Sequence, residues 1–238
     1  MKWLVNFLTS SIGQKLLMSL TGLFLILFLL VHLTGNLQLL SNDGGKAFNI
    51  YTDFMSHNPL IQFVAKGNYA FILLHAIVGI MLAFKNKKAK GSKYAVSAKN
   101  KSSWASNQMA LLGSLIFAFL LMHMWHFWFQ LKFREKLQPM VSYDGVEVVD
   151  AYSKVVGIME QPIWAGLYLI GLLVLAFHLW HGFASAFQTL GLRHKKYTPL
   201  ISGLGKAYAI LVPLGFACLL YTSPSPRDAT LSRMPSSA

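Results

Sequence analysis

The sequence predicts an all-α integral membrane bundle of five transmembrane helices with a cytoplasmic N-terminus, and three observations carry that prediction. Of its 238 residues, 55% are hydrophobic and only 12% charged, a balance that water-soluble domains of this size do not normally show. Five segments stay apolar over roughly 17 to 25 residues, the length that crosses a hydrocarbon core about 30 Å thick at 1.5 Å per residue. The formal net charge of +13 lies in short runs between those segments rather than along an amphipathic surface, the pattern of membrane topology and not of nucleic-acid binding.

The apolar segments cover 16–40, 62–84, 108–131, 163–187 and 203–221. Lys2 precedes the first as in a signal peptide, but the apolar run is too long for such a signal and no small-residue cleavage site follows, so it is read as a retained helix. Between the second and third segments stand Lys85, Lys87, Lys88, Lys90, Lys93, Lys99 and Lys101. Between the fourth and the fifth stand Arg193, Lys195 and Lys196, with Lys206 at the start of the fifth, and neither stretch contains an acid. The positive-inside rule places both loops in the cytoplasm and the two mixed-charge loops outside. The second outer loop contains an amphipathic stretch, 148–159, that either lies along the membrane surface or is a plain solvated loop. Residues 1–221 form a single domain. The Ser/Pro-rich tail 222–238 lacks apolar periodicity and is expected to be disordered or a sequence artefact. The one cysteine, Cys218, excludes a disulfide framework or a cysteine-ligated cluster built by this chain alone.

Metal chemistry must therefore rest on histidine. Six of eight histidines fall in the apolar segments: His32, His75, His123, His126, His178 and His181. An ionisable side chain in hydrocarbon costs a few kcal/mol on insertion scales and needs a partner, a water-filled path or a cofactor. With the topology above, His32 lies about 24 Å and His123 about 21 Å from the inner ends of their helices, whereas His75 lies about 14 Å and His178 about 15 Å from theirs. The four sort into two pairs at two depths roughly 10 Å apart, each drawn from two helices. That is what two six-coordinate haems b require, because the axial ligands of one iron approach from opposite faces of the porphyrin. Gly79 and Gly182 each follow a proposed ligand by four residues, so a side-chain-free position lies one turn along the same face, open to a flat macrocycle or to a neighbouring helix. His126 and His181 each stand three residues beyond a proposed ligand, and spacing alone leaves open whether they replace it or bond a haem propionate, a quinone or another helix. In the loops, His194 is expected to serve surface electrostatics and His57 is a candidate for a quinone pocket.

The residues Val31-His32-Leu33, His75-Ala76-Ile77-Val78-Gly79, His123-Met124-Trp125 and Phe177-His178-Leu179-Trp180-His181-Gly182, the last leading into Ser185–Gly191, together resemble the di-haem cytochrome b membrane anchor of succinate dehydrogenase and fumarate reductase, in its five-helix, single-subunit b558-type form. The resemblance covers about residues 10 to 215. It implies His75 with His178 at an inner haem and His32 with His123 at an outer one, and it favours His123 and His178 over their neighbours. It also implies a flavoprotein and an iron-sulfur subunit as partners on the cytoplasmic face of a bacterial inner membrane, with menaquinone as the acceptor. The family's quinone-site residues have no secure match; Asp53, Ser56 and His57 in the first outer loop are the candidates. The chain departs from the family after Leu219-Leu220-Tyr221, where the fifth helix would be expected to continue. Other di-haem membrane cytochromes, of the b561 type or from hydrogenase or formate dehydrogenase, and a histidine-lined transporter are the rival readings.

Overall fold

The computed structural model describes residues 2–89 and 104–222; Lys90, Lys93, Lys99, Lys101 and nearly all of the Ser/Pro-rich tail lie outside the described residues. In chain order the elements are α1 (Lys2–Thr9), α2 (Ser11–Asn36), running on into a 3-10 turn at Leu37–Leu40, α3 (Lys46–His57), α4 (Pro59–Ala89), the short α5 (Trp104–Asn107) and α6 (Met109–His123). A π-helical stretch at Met124–Phe129 joins α6 to α7 (Gln130–Phe133). Strands β1 (Met140–Tyr143) and β2 (Val146–Val149), α8 (Ala151–Met159), α9 (Pro162–Thr189) and α10 (Thr198–Thr222) follow.

Five stretches are long and apolar enough to cross a membrane, Ser11–Leu40, Pro59–Lys88, Met109–Phe133, Pro162–Thr189 and Thr198–Tyr221, as a multi-pass membrane protein requires. Large apolar side chains such as Phe63, Phe84 and Leu211 are exposed along them, the surface that lipid covers. The first and fifth begin about five residues before the hydropathy suggested, because each opens on polar side chains that find partners. Ser10 caps α2 by accepting from the Gly13 N–H at 3.0 Å, and buried Gln14 accepts from the Lys85 ammonium at 2.8 Å. Pro59 and Pro162 each open a helix at the first position, where the missing N–H costs nothing. The Asn58 side chain accepts from the Leu60 and Ile61 N–H groups at 3.0 and 3.2 Å, a standard N-cap. Gly191 (φ +75°) ends α9, with the Leu192 N–H bonded back to Phe187, the left-handed stop that glycine makes cheap.

The described residues fall into two compact units. The first comprises 2–29, 66–89, 104–117 and 173–211. Phe24 meets Phe71 edge-on at 4.7 Å, Gly205 gives way to Phe183, and the Tyr208 hydroxyl donates to the Ile26 carbonyl.

The second unit comprises 30–65, 118–172 and 212–222. Its core is Leu39, Phe48, Ala151, Tyr152, Val156 and Leu219, with Leu33, Leu131 and Phe216 packed against it. Of the two alternatives for 148–159 the plain solvated loop does not hold: the stretch is the end of a hairpin followed by a helix that buries Ala151, Tyr152 and Val156 in this core. Strands β1 and β2 pair antiparallel from Met140 opposite Val149 to Tyr143 opposite Val146. Asp144 (φ +54°) and Gly145 (φ +84°) turn between them, the two positive φ values that an Asp-Gly type I′ turn supplies. Asn49, 1% exposed, ties α3 to this layer. Its carbonyl accepts from the Tyr152 N–H at 2.7 Å, and its amide donates to the Tyr143 hydroxyl and the Asp150 carboxylate, both at 3.2 Å.

Candidate functional site: two histidine pairs

In the first unit His75 from α4 meets His178 from α9, with ring centroids 6.3 Å apart and planes inclined at 68°. Thr21 on α2 fixes the first ring. Its hydroxyl spends its single proton on the Leu17 carbonyl at 2.7 Å, so at its 3.1 Å contact with His75 Nδ1 the Thr21 oxygen accepts and the Nδ1 carries the proton. That leaves the His75 Nε2 with a free lone pair, the state in which an imidazole binds a metal. Glycine admits the ring: a Cβ on Gly22 would stand 3.2 Å from His75 Cε1. On the other side Gly113 is the glycine nearest His178, a Cβ there lying 4.0 Å from its Cε1.

In the second unit His32 from α2 meets His123, the last residue of α6, with centroids 5.9 Å apart and planes at 86°. Aromatic rings enclose the pair: Phe216 at 5.6 Å from His32, and Phe119 and Phe127 at 6.0 and 5.2 Å from His123. The Asn36 amide carries two N–H groups: it donates to the His32 carbonyl at 2.7 Å and stands 3.4 Å from His32 Nδ1, a long contact in which that nitrogen is the acceptor. In an unbroken α-helix His126 would sit on nearly the same face as His123. The π-helical stretch begins at the residue after His123 and contains His126, and an extra residue per turn redirects it. His126 accordingly bonds the Tyr168 hydroxyl at 3.2 Å and meets Trp164 edge-on at 4.6 Å.

Both pairs fit the axial positions of a haem. Two histidine–metal bonds of about 2 Å, with roughly 1 Å more from each nitrogen to its ring centre, place the centroids about 6 Å apart, and both separations match. Among the described residues no three His, Cys, Asp or Glu side chains converge; a porphyrin supplies four ligands itself and asks only two of the chain. The Nδ1 atoms of His123 and His178 are buried with no hydrogen-bond partner among the described residues, a cost of about 1–3 kcal/mol each. One ring of each pair is thus left unsatisfied by the chain.

Comparison with protein-family models, curated proteins and solved structures gave no match. The geometry therefore stands by itself.

The other predicted residues divide. A Cβ on Gly79 would stand 3.0 Å from the Met18 methyl, while one on Gly182 would meet no heavy atom within 4 Å among the described residues. His181 makes no hydrogen bond or ring contact with another described residue. Asp53 and His57 lie one turn apart on α3 with Ser56 between them. The His57 ring contacts the Asp53 carboxylate at 3.2 Å and the Asp53 carbonyl at 3.0 Å, with Glu135 at 3.9 Å. This exposed group is internally satisfied. His194 lies in the loop between α9 and α10, its Nδ1 accepting from the Lys196 N–H at 3.2 Å. Thr21, Gly22 and Tyr168 escaped the sequence reading. The signal for the first two was a polar and a side-chain-free residue adjacent within an otherwise apolar span.

Proposed function

We propose that this chain is the membrane-anchor cytochrome of a succinate:quinone oxidoreductase, holding one haem b between His75 and His178 and a second between His32 and His123. The observation that carries the proposal is the pair of ring separations near 6 Å, each between different helices. Bound haem supplies one-electron redox chemistry. His75 with His178, and His32 with His123, would each hold one such group, and two protein ligands apiece would leave no open position for oxygen activation. Thr21 holds the His75 ring in the ligating tautomer, and the phenyl rings of Phe119, Phe127 and Phe216 keep the His32–His123 pair in an apolar setting that tunes potential. Lys85, Lys87, Lys88, Arg193, Lys195 and Lys196 support an N-terminus-inside orientation in a bacterial cytoplasmic membrane and a cationic face for an iron-sulfur subunit with its flavoprotein. Menaquinone is the proposed acceptor. The chain has no Gly-rich flavin fingerprint and no cysteine cluster, so succinate oxidation belongs to the partners.

A reduced-minus-oxidised difference spectrum of the purified chain tests the haem: a b-type α-band at two haems per chain is expected, and its absence eliminates the reading. His75→Ala should lose one haem and keep the other; retention of both removes the ligand assignment. Copurification of flavin and iron-sulfur subunits distinguishes this complex from other di-haem membrane cytochromes, to which the same pairs would be equally suited.

A further inference from the structure

We infer that the loop joining α9 to α10 forms a binding site for one anionic phospholipid. A cleft of about 120 Å³ opens there, with Phe187, Leu192 and Ile201 on its apolar side and Gln188, Arg193 and Ser202 among its polar groups. It shares Arg193, Thr198 and Ser202 with a wider recess of about 500 Å³ that adds His194 and Lys195. The cleft is therefore ordered by polarity along the chain. Its apolar walls come from the last turns of one candidate span and the first of the next, and its cations from the loop that connects them.

The charge in this site is uncompensated. No Asp or Glu occurs between Glu160 and Asp228, and no carboxylate pairs with Arg193 or Lys195 among the described residues. Because the His194 Nδ1 accepts from the Lys196 N–H, the neutral ring carries its proton on Nε2 and presents a donor. Thr198 is occupied with the loop itself, its oxygen accepting from the His194 N–H at 3.0 Å, which braces the backbone between the two cations. A guanidinium, an ammonium, an imidazole N–H and the Ser202 hydroxyl thus surround one recess, a donor set suited to a phosphodiester oxygen pair. Basic pockets between spanning helices at a membrane boundary select anionic headgroups by the same physics. The apolar walls distinguish the ligand from a free phosphate, which would gain nothing from them. This inference is independent of the histidine pairs and survives their failure.

Native mass spectrometry of the full chain released from detergent tests it, with phosphatidylglycerol, phosphatidylcholine and inorganic phosphate as separate probes. One phosphatidylglycerol should be retained at least tenfold more tightly than phosphatidylcholine. Arg193→Gln with Lys195→Gln should abolish that preference, while Lys132→Gln, a cation in α7, leaves it intact. Both changes are at exposed positions, and circular dichroism checks that the helices persist. Equal retention of the two lipids, or an undiminished preference in the double variant, overturns the inference. Displacement of the lipid by millimolar phosphate overturns it in favour of a small-anion site. A double variant that keeps its lipid but loses soluble subunits overturns it in favour of a protein-docking face.

Discussion

Replacing Thr21 by valine removes one oxygen and almost no volume, and the structure says what that oxygen does. It accepts from His75 Nδ1 at 3.1 Å in a position only 4% exposed, where no water replaces it. The variant leaves the His75 N–H with the Met18 carbonyl as its remaining backbone acceptor, so the loss of the hydroxyl costs about 0.5–1.5 kcal/mol. It also weakens the hold that keeps the proton off the nitrogen that should bind iron. Loss of an outer hydrogen bond to a metal-bound histidine typically weakens the metal 10- to 100-fold, about 1.4–2.8 kcal/mol. Haem titration of the purified Thr21→Val chain, followed by its difference spectrum, should show one haem bound 10- to 100-fold more weakly and the other as in the parent. Thr21→Ser, which restores the oxygen, should recover the affinity. Two haems bound with parental affinity in Thr21→Val would refute the argument that Thr21 sets the His75 tautomer.

Two further outcomes concern the second unit's folded layer. Asn49→Ala strips the acceptor from the Tyr152 N–H and a donor from Asp150 and should cost about 2–4 kcal/mol, read as faster hydrogen exchange across α3 and α8 with the spanning helices unchanged. The exposed Lys46–Asp144 pair at 2.8 Å is governed by pH. The hydrogen bond from Lys46 lowers the Asp144 carboxyl, and the same bond raises the Lys46 ammonium. A depressed acid contributes at pH above its unfolded value and loses that contribution as pH falls through its folded value. A raised amine contributes at pH below its unfolded value and loses it only in strong base. The pair should therefore hold through neutral pH and open in acid below the ordinary carboxylate range, seen as hairpin exchange that rises only there and is blunted by salt.

The five spans were legible because hydrophobic length is a one-dimensional property, and His32, His75, His123 and His178 were legible because polar groups in hydrocarbon are conspicuous. Sorting them by depth foretold the ring pairs, since residues at equal height on neighbouring helices meet. The layer of α3, the hairpin and α8 was not read, although Asp144-Gly145 between alternating residues is a strong hairpin signal. The short strands were overlooked beside the longer amphipathic period that follows them. Sequence also could not say which of His123 and His126 turns toward His32. That depends on a π-helical stretch of Met, Trp, His and Phe whose composition does not distinguish it from an ordinary helix.

The orphaned nitrogens supply a test in which a structural histidine and a ligand histidine give opposite signs. If His123 and His178 served packing, their hydrogen bonds would be made and an apolar replacement would destabilise the chain. Instead each Nδ1 is buried without a partner among the described residues, so in haem-free protein His178→Leu removes an unsatisfied group costing about 1–3 kcal/mol and substitutes a side chain that lipid-embedded helices accept. The haem-free variant should unfold at higher temperature than the haem-free parent, and His123→Leu should do the same. Loaded with haem, the order must invert, because ligand binding stabilises the parent by RT ln(1 + [L]/Kd), about 4 kcal/mol at a thousandfold excess over Kd, and the variant has forfeited half of that site's axial ligation. Thermal unfolding in micelles with and without haem measures both signs. A haem-free His178→Leu chain less stable than its parent would show that the histidine is there for the fold.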